Sequence, residues 1–177
     1  MSEVYLAAGS NLDPERRLAQ AACELERSFA PVRFSPWYRN RAMGFSGPDF
    51  INFVAGFETH WPVRQVRARL REIEAQCGRS RDDPQWAPRA MDLDILLYGD
   101  LVCEEPGLRL PRPDLMVRPY MLGPLADLAP GLVHPTAGRT IGELWMRFDQ
   151  AAHPLERTEA TFTSRDCARH RPRESGP

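Results

Sequence analysis

Two aspartates separated by one residue are the clearest candidates for chemistry in this sequence. Asp92 and Asp94 lie in the run DLDILLYG (92–99), whose apolar residues predict a β-strand. Since side chains two apart on a strand project from one face, about 6.5 Å apart, the two carboxylates are expected to share one small space. At an effective dielectric of about 20 their charges would repel by roughly 3 kcal/mol, so a proton, an arginine or a divalent cation must relieve the repulsion.

Magnesium is the cation that best matches this pair, because it commonly binds through one or two carboxylates together with substrate phosphates. The same spacing also describes the solvated face of an ordinary strand, so neighbouring residues must decide. Arg79, Arg81 and Arg89 lie just upstream on a polar loop, from which their guanidinium groups could bind metal-bound phosphate. The alternative for each arginine is an exposed ion pair. Arg71 and Glu74 face the loop end of the preceding helix, where the alternative is a solvated charged stripe.

The basic residues of the chain restrict how an anion can be held. All 23 of them are arginines. A phosphate-binding lysine, a lysine Schiff base and a lysine-containing P-loop are therefore excluded. Guanidinium groups, backbone amides or a metal ion remain, and the planar guanidinium fork suits phosphate oxygens.

A second group of residues is suited to binding a flat heterocycle. Phe50 and Asn52 stand two apart at the start of a predicted strand, where the ring can stack and the amide can both donate and accept hydrogen bonds. Trp86 and Tyr120 are further stacking candidates, although a single aromatic residue at such a position is more often part of the core.

The elements that must position these residues are indicated by apolar periodicity and by the 17 prolines. Apolar runs predict strands over residues 4–8, 32–38, 51–60 and 91–98, a hairpin partner for the last strand over 101–103, and an extended piece over 108–110. Helical spacing predicts a helix that begins at Pro14 with Asp13 as its N-cap, and helices over 63–77, 120–128 and 141–148. This order indicates an α+β fold with a mostly antiparallel sheet.

Length and composition bound the class of protein. The chain has 177 residues, a formal net charge of −1 and a sequence pI near 6.4, so one ordinary soluble domain is expected. The sequence shows neither a membrane-length apolar run nor a signal-like start, which predicts a cytoplasmic protein that binds neither nucleic acid nor membrane. A catalytic domain is predicted over 1–150 and a polar, weakly ordered tail over 151–177. The four cysteines form no CxxC pair and are expected to be reduced.

The longest motif in the sequence is R-x-R-x4-W-A-P-R-x2-D-L-D-I-L-L-Y-G, over residues 79–99. Four more segments stand in a matching order and spacing: LAAGSNL (6–12), PDFIN (48–52), residues 74–79, and residues 110–125 with LP and RPYMLGPL. Together they resemble the 6-hydroxymethyl-7,8-dihydropterin pyrophosphokinase family of the folate pathway over roughly residues 3–148. Five ordered segments are far more specific than any single motif.

This resemblance implies a ferredoxin-like, three-layer αβα sandwich with a mostly antiparallel sheet, and a monomer is expected. It implies transfer of pyrophosphate from ATP to the hydroxymethyl group of the reduced pterin, with release of AMP. Asp92 and Asp94 would hold two magnesium ions that bridge the ATP phosphates, so positioning and electrostatics would supply much of the catalysis.

The same resemblance assigns further residues by their position in the motifs. Arg79 and Arg89 would contact the phosphates, as catalytic residues beside the two aspartates. The residues assigned to the pterin are Asn40, Met43, Phe50, Asn52, Trp86 and Tyr120. The residues assigned to ATP are Arg71, Glu74, Arg81, Ile95, Arg112 and Arg118.

The sequence departs from the family pattern at several of these places. Arg112 stands where the family usually has a histidine, Phe50 stands where it often has a tyrosine, and Asp82, Asp83 and Gln85 replace more basic residues. These changes predict weaker ATP binding, or a divergent pterin- or nucleotide-binding paralogue with little transfer activity. A ferredoxin-like RNA-binding module is the third interpretation, but the sequence lacks its glycine- and aromatic-rich strand motif and its positive charge.

Overall fold

The computed structural model describes residues 1–41, 47–79, 90–162 and Cys167. The helices in this part of the chain are α1 (Pro14–Phe29), α2 (Val63–Gln76), α3 (Pro119–Leu128) and α4 (Ile141–Arg147), with a 3-10 turn over Pro113–Met116. The strands are β1 (Ser2–Ser10), β2 (Val32–Phe34), β3 (Tyr38–Asn40), β4 (Phe50–Thr59), β5 (Asp92–Tyr98), β6 (Cys103–Glu105), β7 (Leu108–Leu110) and β8 (Glu156–Arg157). No helix among the described residues has both the length and the apolar character to span a bilayer.

The main sheet is antiparallel and has the strand order β5-β1-β4-β3-β8, with β2 also paired to β4. β1 and β4 lie at its centre and pair from Ser2 with Thr59 to Ser10 with Ile51. Helices cover both faces of these two strands, so their residues are buried almost continuously rather than alternately. This arrangement confirms the predicted α+β sandwich with a mostly antiparallel sheet.

The sheet separates two hydrophobic cores. On one face, α1 and α2 cover buried side chains such as Leu6 and Phe53. On the other face, α3 and α4 cover Tyr5, Val54 and Leu97. Because neighbouring residues of one strand belong to different cores, a slip of β1 by one residue would exchange the two sets, and the register is therefore strongly specified.

The ends of two helices bear on the site. α1 begins at Pro14 as predicted, but the Asp13 side chain does not cap the helix. The backbone of Asp13 is in the left-handed conformation (φ 49°), and its carboxylate pairs with Arg16. α2 ends before Gly78, whose φ of 91° suits glycine and turns the chain towards Arg79.

The strand predicted over 32–38 is divided into β2 and β3. The backbone N–H of Ser35 donates to the Val54 carbonyl at 2.8 Å, and its Oγ accepts from the Val54 N–H at 2.9 Å. The next residue, Pro36, has no N–H to continue the ladder. The chain resumes pairing at β3, which brings Asn40 beside the start of β4.

The hairpin predicted for β5 is wrong. After β5 the chain turns at Gly99 (φ 50°), but residues 103–105 pair with residues 108–110 and not with β5. Gly107 (φ 75°) provides the turn between β6 and β7, because glycine adopts positive φ without a steric cost. The outer edge of β5 is therefore open to a side chain from α2.

Part of the segment predicted as a weakly ordered tail packs on the domain. β8 pairs with Tyr38 and Arg39 of β3. Phe162 lies against Phe34, with ring centroids 4.7 Å apart. The boundary at residue 150 stays a prediction.

The cysteines differ from the sequence-based expectation. Cys23 of α1 and Cys167 form a disulfide, so the prediction that all four thiols are reduced is wrong for this pair. The two residues are 144 positions apart, and local spacing cannot reveal that the C-terminal part of the chain returns to α1.

Candidate active site

One row of residues crosses the sheet at the end of β1. Gly9 is paired with Asp92 of β5 on one side and with Asn52 of β4 on the other. Two residues earlier in β1, Ala7 is paired with Asp94. Because directly opposed residues and residues two apart share a face, the two carboxylates and the Asn52 amide project from the same face of the sheet. The structure thus places the predicted acidic pair and the predicted amide on either side of one glycine.

Gly9 keeps the space between these side chains open. A methyl group at this position would lie 2.6 Å from Oδ1 of Asn52 and 4.0 Å from the ring of Phe50. The first contact is too close for carbon and oxygen, so any side chain at Gly9 would displace the amide. The glycine of the LAAGSNL segment therefore has a steric role in the site.

An ion-pair network holds Asp92. Nη1 of Arg79 lies 2.8 Å from Oδ1 of Asp92 and 2.5 Å from Oε1 of Glu74. The same Oε1 accepts a hydrogen bond of 2.8 Å from the Leu93 backbone N–H on the outer edge of β5. Glu74 thus connects α2, β5 and Arg79 at one side of the site.

Burial and charge act in opposite directions within this network. Burial raises the pKa of the Glu74 carboxyl above its ordinary value, although the Leu93 N–H and Arg79 both lower it. Burial by itself lowers the pKa of Arg79, but Glu74 and Asp92 raise it overall. The two acidic groups thus favour the charged form of Arg79.

Asp94 is paired with a different arginine. Nη1 of Arg112 lies 2.9 Å from Oδ1 of Asp94, and Nη2 lies 3.6 Å from Oδ2 of Asp114. The backbone N–H of Arg112 donates to the Leu96 carbonyl at 2.9 Å, which fixes the base of this side chain beside β5. Arg112 is therefore a direct neighbour of the acidic pair, a contact that its position in the motif does not reveal.

On the other side of Gly9, two amides bond to each other. Nδ2 of Asn52 donates to Oδ1 of Asn40. Asn52 is only 4% exposed, and an amide buried to this degree needs such partners. Phe50 is paired with Asn40 in the sheet, so three of the residues predicted to bind a heterocycle lie together.

Ser10 and Asn11 are supporting residues that the sequence does not single out. Oγ of Ser10 donates to the Ala90 carbonyl at 2.7 Å, and Nδ2 of Asn11 donates to the Pro48 carbonyl at 3.4 Å. Both residues are almost completely buried. They fix the chain just before β5 and just before β4, and the only sequence signal for this role is a pair of polar residues directly after an apolar strand.

α3 brings an aromatic and a basic residue to the same end of the sheet. Arg118 directly precedes α3, and Tyr120 lies in its first turn. Burial raises the pKa of the Tyr120 hydroxyl, and Arg118 lowers it. The charges of Asp114, Asp94 and Asp92 raise it again. Tyr120 therefore lies within electrostatic range of the acidic pair.

A cavity of about 450 Å³ opens beside Asn40. Residues 39–41, Asp49 and Pro119 form part of its wall, and residues 152–156 form the rest. The segment 152–156 belongs to the predicted tail, and its composition gives no indication of a place beside the site. It lies there because β8 pairs with β3.

The remaining predicted residues are not brought together with the acidic pair. Ile95 is buried in the core under α1 and α2, on the face opposite to the aspartates. Arg71 is exposed on α2, three residues before Glu74. Outside the described residues lie Met43, Arg81, Trp86 and Arg89, and also Asp82, Asp83 and Gln85.

The donor set of Asp92 and Asp94 fits magnesium. Both donors are carboxylates, with side chains 24% and 23% exposed. In the described ranges, no group of three or more His, Cys, Asp or Glu side chains is arranged to bind a metal ion with protein ligands alone. A cation at the pair would need further ligands, and substrate phosphates and water are those that magnesium commonly takes.

Comparison with known proteins agrees with this arrangement. Residues 5–130 match the sequence model of the family described as 7,8-dihydro-6-hydroxymethylpterin-pyrophosphokinase (HPPK). The chain belongs to the HPPK family. The matched residues run from β1 to α3, so they include both sides of the row at Gly9.

Two named HPPK relatives support the assignment. Over 163 residues the chain is 38% identical to the 2-amino-4-hydroxy-6-hydroxymethyldihydropteridine pyrophosphokinase of Pseudomonas aeruginosa, covering 90% of this chain and 96% of that protein. It is 39% identical over 120 residues to the protein of the same name from Synechocystis sp., covering 68% of this chain and 61% of that protein. The resemblance seen in the five motifs is confirmed.

The fold is similar to that of solved HPPK-containing chains. A Plasmodium falciparum HPPK-DHPS chain crystallised with pteroate superposes with a TM-score of 0.67, covering 82% of this chain and 42% of that chain. At 12% sequence identity this likeness shows the fold alone. The present chain thus spans less than half of that larger protein.

Proposed function

We propose that this chain transfers pyrophosphate from ATP to the hydroxymethyl group of 6-hydroxymethyl-7,8-dihydropterin in folate biosynthesis, releasing AMP. The observation that carries the proposal is the row formed by Asp92, Gly9 and Asn52. It provides carboxylates for phosphate-bound magnesium on one side of an open space and an amide for a heterocycle on the other. The named relatives support this activity and give no support to a binding-only paralogue.

The amide side of the row would bind the pterin. Asn52 carries both a donor and an acceptor, as does the edge of a pterin ring. Its bond to Asn40 sets the orientation of the amide, and Oδ1 then faces the space above Gly9. Phe50 and Tyr120 come from different elements and would stack on the two ring faces.

The charged side would bind the polyphosphate of ATP. Arg79 and Arg112 pair with the two aspartates, and Arg118 acts electrostatically on Tyr120. All three would bond phosphate oxygens. Asp92 and Asp94 would hold magnesium, with two ions expected in the presence of ATP. When bound, magnesium neutralises phosphate charge and helps to orient the phosphates.

The reaction itself requires few chemical groups from the protein. A bond forms between the hydroxymethyl oxygen and the β-phosphorus of ATP, and the bond from that phosphorus to the oxygen bridging to the α-phosphorus breaks. AMP leaves with the electron pair, and the hydroxyl proton passes to solvent. The residues of this chain would contribute by holding the hydroxyl group and the β-phosphorus in line, and by placing guanidinium groups where negative charge accumulates.

We also propose that the protein acts as a monomer in the cytoplasm. Both statements keep the expectation drawn from the sequence, and the required ATP is abundant in the cytoplasm. Light scattering on the purified protein and fractionation of cells would test the two statements. A stable dimer, or recovery outside the cytoplasmic fraction, would contradict them.

The central experiment measures AMP formation from ATP and magnesium, with and without the pterin. We expect AMP that depends on the pterin in the wild type and in Asp100→Asn, a control that removes an exposed carboxylate from the turn after β5. Binding of the pterin without AMP formation in the wild type would contradict the proposal.

A further inference from the structure

Arg112 holds Asp94 although its own guanidinium group is only partly satisfied. Nη1 bonds Oδ1 of Asp94 at 2.9 Å, whereas Nη2 is 3.6 Å from Asp114. Within the described residues, Nε of Arg112 is buried and has no hydrogen-bond partner. A buried donor without a partner is unfavourable, so this side chain would gain from an additional acceptor.

The other arginine of the site is held differently. Arg79 contacts two carboxylates, Asp92 and Glu74, and Glu74 is itself anchored by the Leu93 N–H. If Asp92 bound a cation, Glu74 would still hold Arg79. Arg112 has no comparable second partner among the described carboxylates, since Asp114 is 3.6 Å away.

Arg112 and a divalent cation compete for the same carboxylate. Oδ1 of Asp94 accepts from the guanidinium, and a cation bound at this oxygen would lie close to a positive charge. A polyphosphate removes the conflict because it gives Arg112 other acceptors. The unpartnered Nε and an adjacent Nη form the planar fork that bonds two phosphate oxygens at once.

We propose that Arg112 makes cation binding at Asp94 dependent on the nucleotide. Arg112 pairs with Asp94 while no nucleotide is bound and moves to the polyphosphate when ATP arrives, which removes the guanidinium charge from the Asp94 oxygen that the cation would bind. Cation and nucleotide therefore bind with positive coupling. The inference rests on the proposed function, because it takes Asp92 and Asp94 as the cation ligands.

The test measures binding of Mn²⁺ to the full chain without nucleotide, by the electron paramagnetic resonance signal of free Mn²⁺. We expect Arg112→Met to bind Mn²⁺ at least about fivefold more tightly than the wild type. The matched control is Arg109→Met, which removes the same charge from β7 at an exposed arginine that pairs with Glu104. Its affinity for Mn²⁺ should stay within about twofold of the wild type.

A second measurement uses the α,β-methylene analogue of ATP. In the wild type, Mn²⁺ should strengthen binding of the analogue by a larger factor than it does in Arg112→Met, because coupling between two ligands is reciprocal. An equal factor in both proteins would overturn the inference.

Unchanged or weaker binding of Mn²⁺ in folded Arg112→Met would also overturn it. Should that variant fail to fold, binding of Mn²⁺ is measured on Arg112→Gln, which keeps a donor for Asp94. The same gain of at least about fivefold is then expected, and unchanged or weaker binding would overturn the inference. Adding Asp94→Asn to Arg112→Met must abolish the gain in affinity, since a gain that persists would place the cation elsewhere. None of these results depends on turnover, so the inference can fail while AMP formation that requires the pterin still supports the proposed function.

Discussion

The two sides of Gly9 are built from different interactions. On the β5 side, Asp92 and Asp94 are each paired with an arginine. On the β4 side, the Asn52 amide is buried and bonds a neutral partner, Asn40. A ligand on the first side must replace ion pairs, whereas a ligand on the second side meets an amide that is already oriented.

This difference indicates how a sheet can bind two dissimilar groups at once. The aspartate side chains are about a quarter exposed, so their ion pairs are partly screened and can rearrange. The Asn52 amide on the other side is almost completely buried, and its specificity would depend on donors and acceptors that must be satisfied. We therefore expect charge to decide binding on one side and hydrogen-bond geometry to decide it on the other.

Asp94→Asn should separate the two sides most clearly. The substitution keeps the shape of the side chain and removes the charge that magnesium needs, so kcat for AMP formation should fall at least about a hundredfold, equivalent to ~2.7 kcal/mol. Pterin binding, followed by fluorescence, should change little. A loss of kcat below about tenfold would show that Asp94 is not a metal ligand.

Asn52→Ala should affect the opposite side. Loss of the amide should weaken pterin binding roughly 10–100-fold, as expected for about 1.5–3 kcal/mol of hydrogen bonding, with little effect on binding of an ATP analogue. Asn40→Ala removes only the partner of Asn52 and should have a smaller effect. Equal losses for both ligands in calorimetric titrations would mean that the two sides are not independent.

Gly9→Ala tests the position that separates them. The new methyl group would press on Oδ1 of Asn52, so we expect a rise of roughly tenfold in KM for the pterin and a fall of about 1–3 kcal/mol in the free energy of unfolding. Gly131→Ala is the matched control, because no atom lies within 4 Å of its added carbon. Similar behaviour of the two variants would exclude a steric role for Gly9.

Ionic strength should have the smallest effect and the most selective one. Between about 0.1 M and about 1 M salt the Debye length falls from about 10 Å to about 3 Å, so the arginines attract phosphate less strongly. Binding of the ATP analogue should weaken several-fold, and pterin binding should change by less than about twofold. A salt effect of equal size on both ligands would remove the distinction in charge.

The parts of the site that the sequence predicts are those that depend on local geometry. Alternation along a strand puts Asp92 and Asp94 on one face, and the same rule puts Phe50 and Asn52 together. Both relations can be predicted without knowing which strands are neighbours. The row across Gly9 cannot, because only the strand order β5-β1-β4 brings the aspartate pair beside Phe50 and Asn52.

The contacts that the sequence could not predict join distant parts of the chain. Arg112 reaches Asp94 because its backbone is bonded to Leu96, and Glu74 reaches Leu93 because the outer edge of β5 is not covered by a hairpin. The place of residues 152–156 in the cavity wall could not be predicted from the sequence either. It depends on the pairing of β8 with β3, which uses backbone amides that every residue type except proline can supply.

The pairing of β8 with β3 also affects how molecules of this protein meet one another. An outer strand with free backbone amides can pair with a strand of another molecule, and folded proteins avoid aggregation by covering such edges. β8 covers Tyr38 and Arg39 on one outer side of the sheet, and the Glu74 carboxylate takes the Leu93 amide on the other. The outer strand on the β3 side is then β8, which is only two residues long, and a very short outer strand offers little backbone for pairing with another molecule.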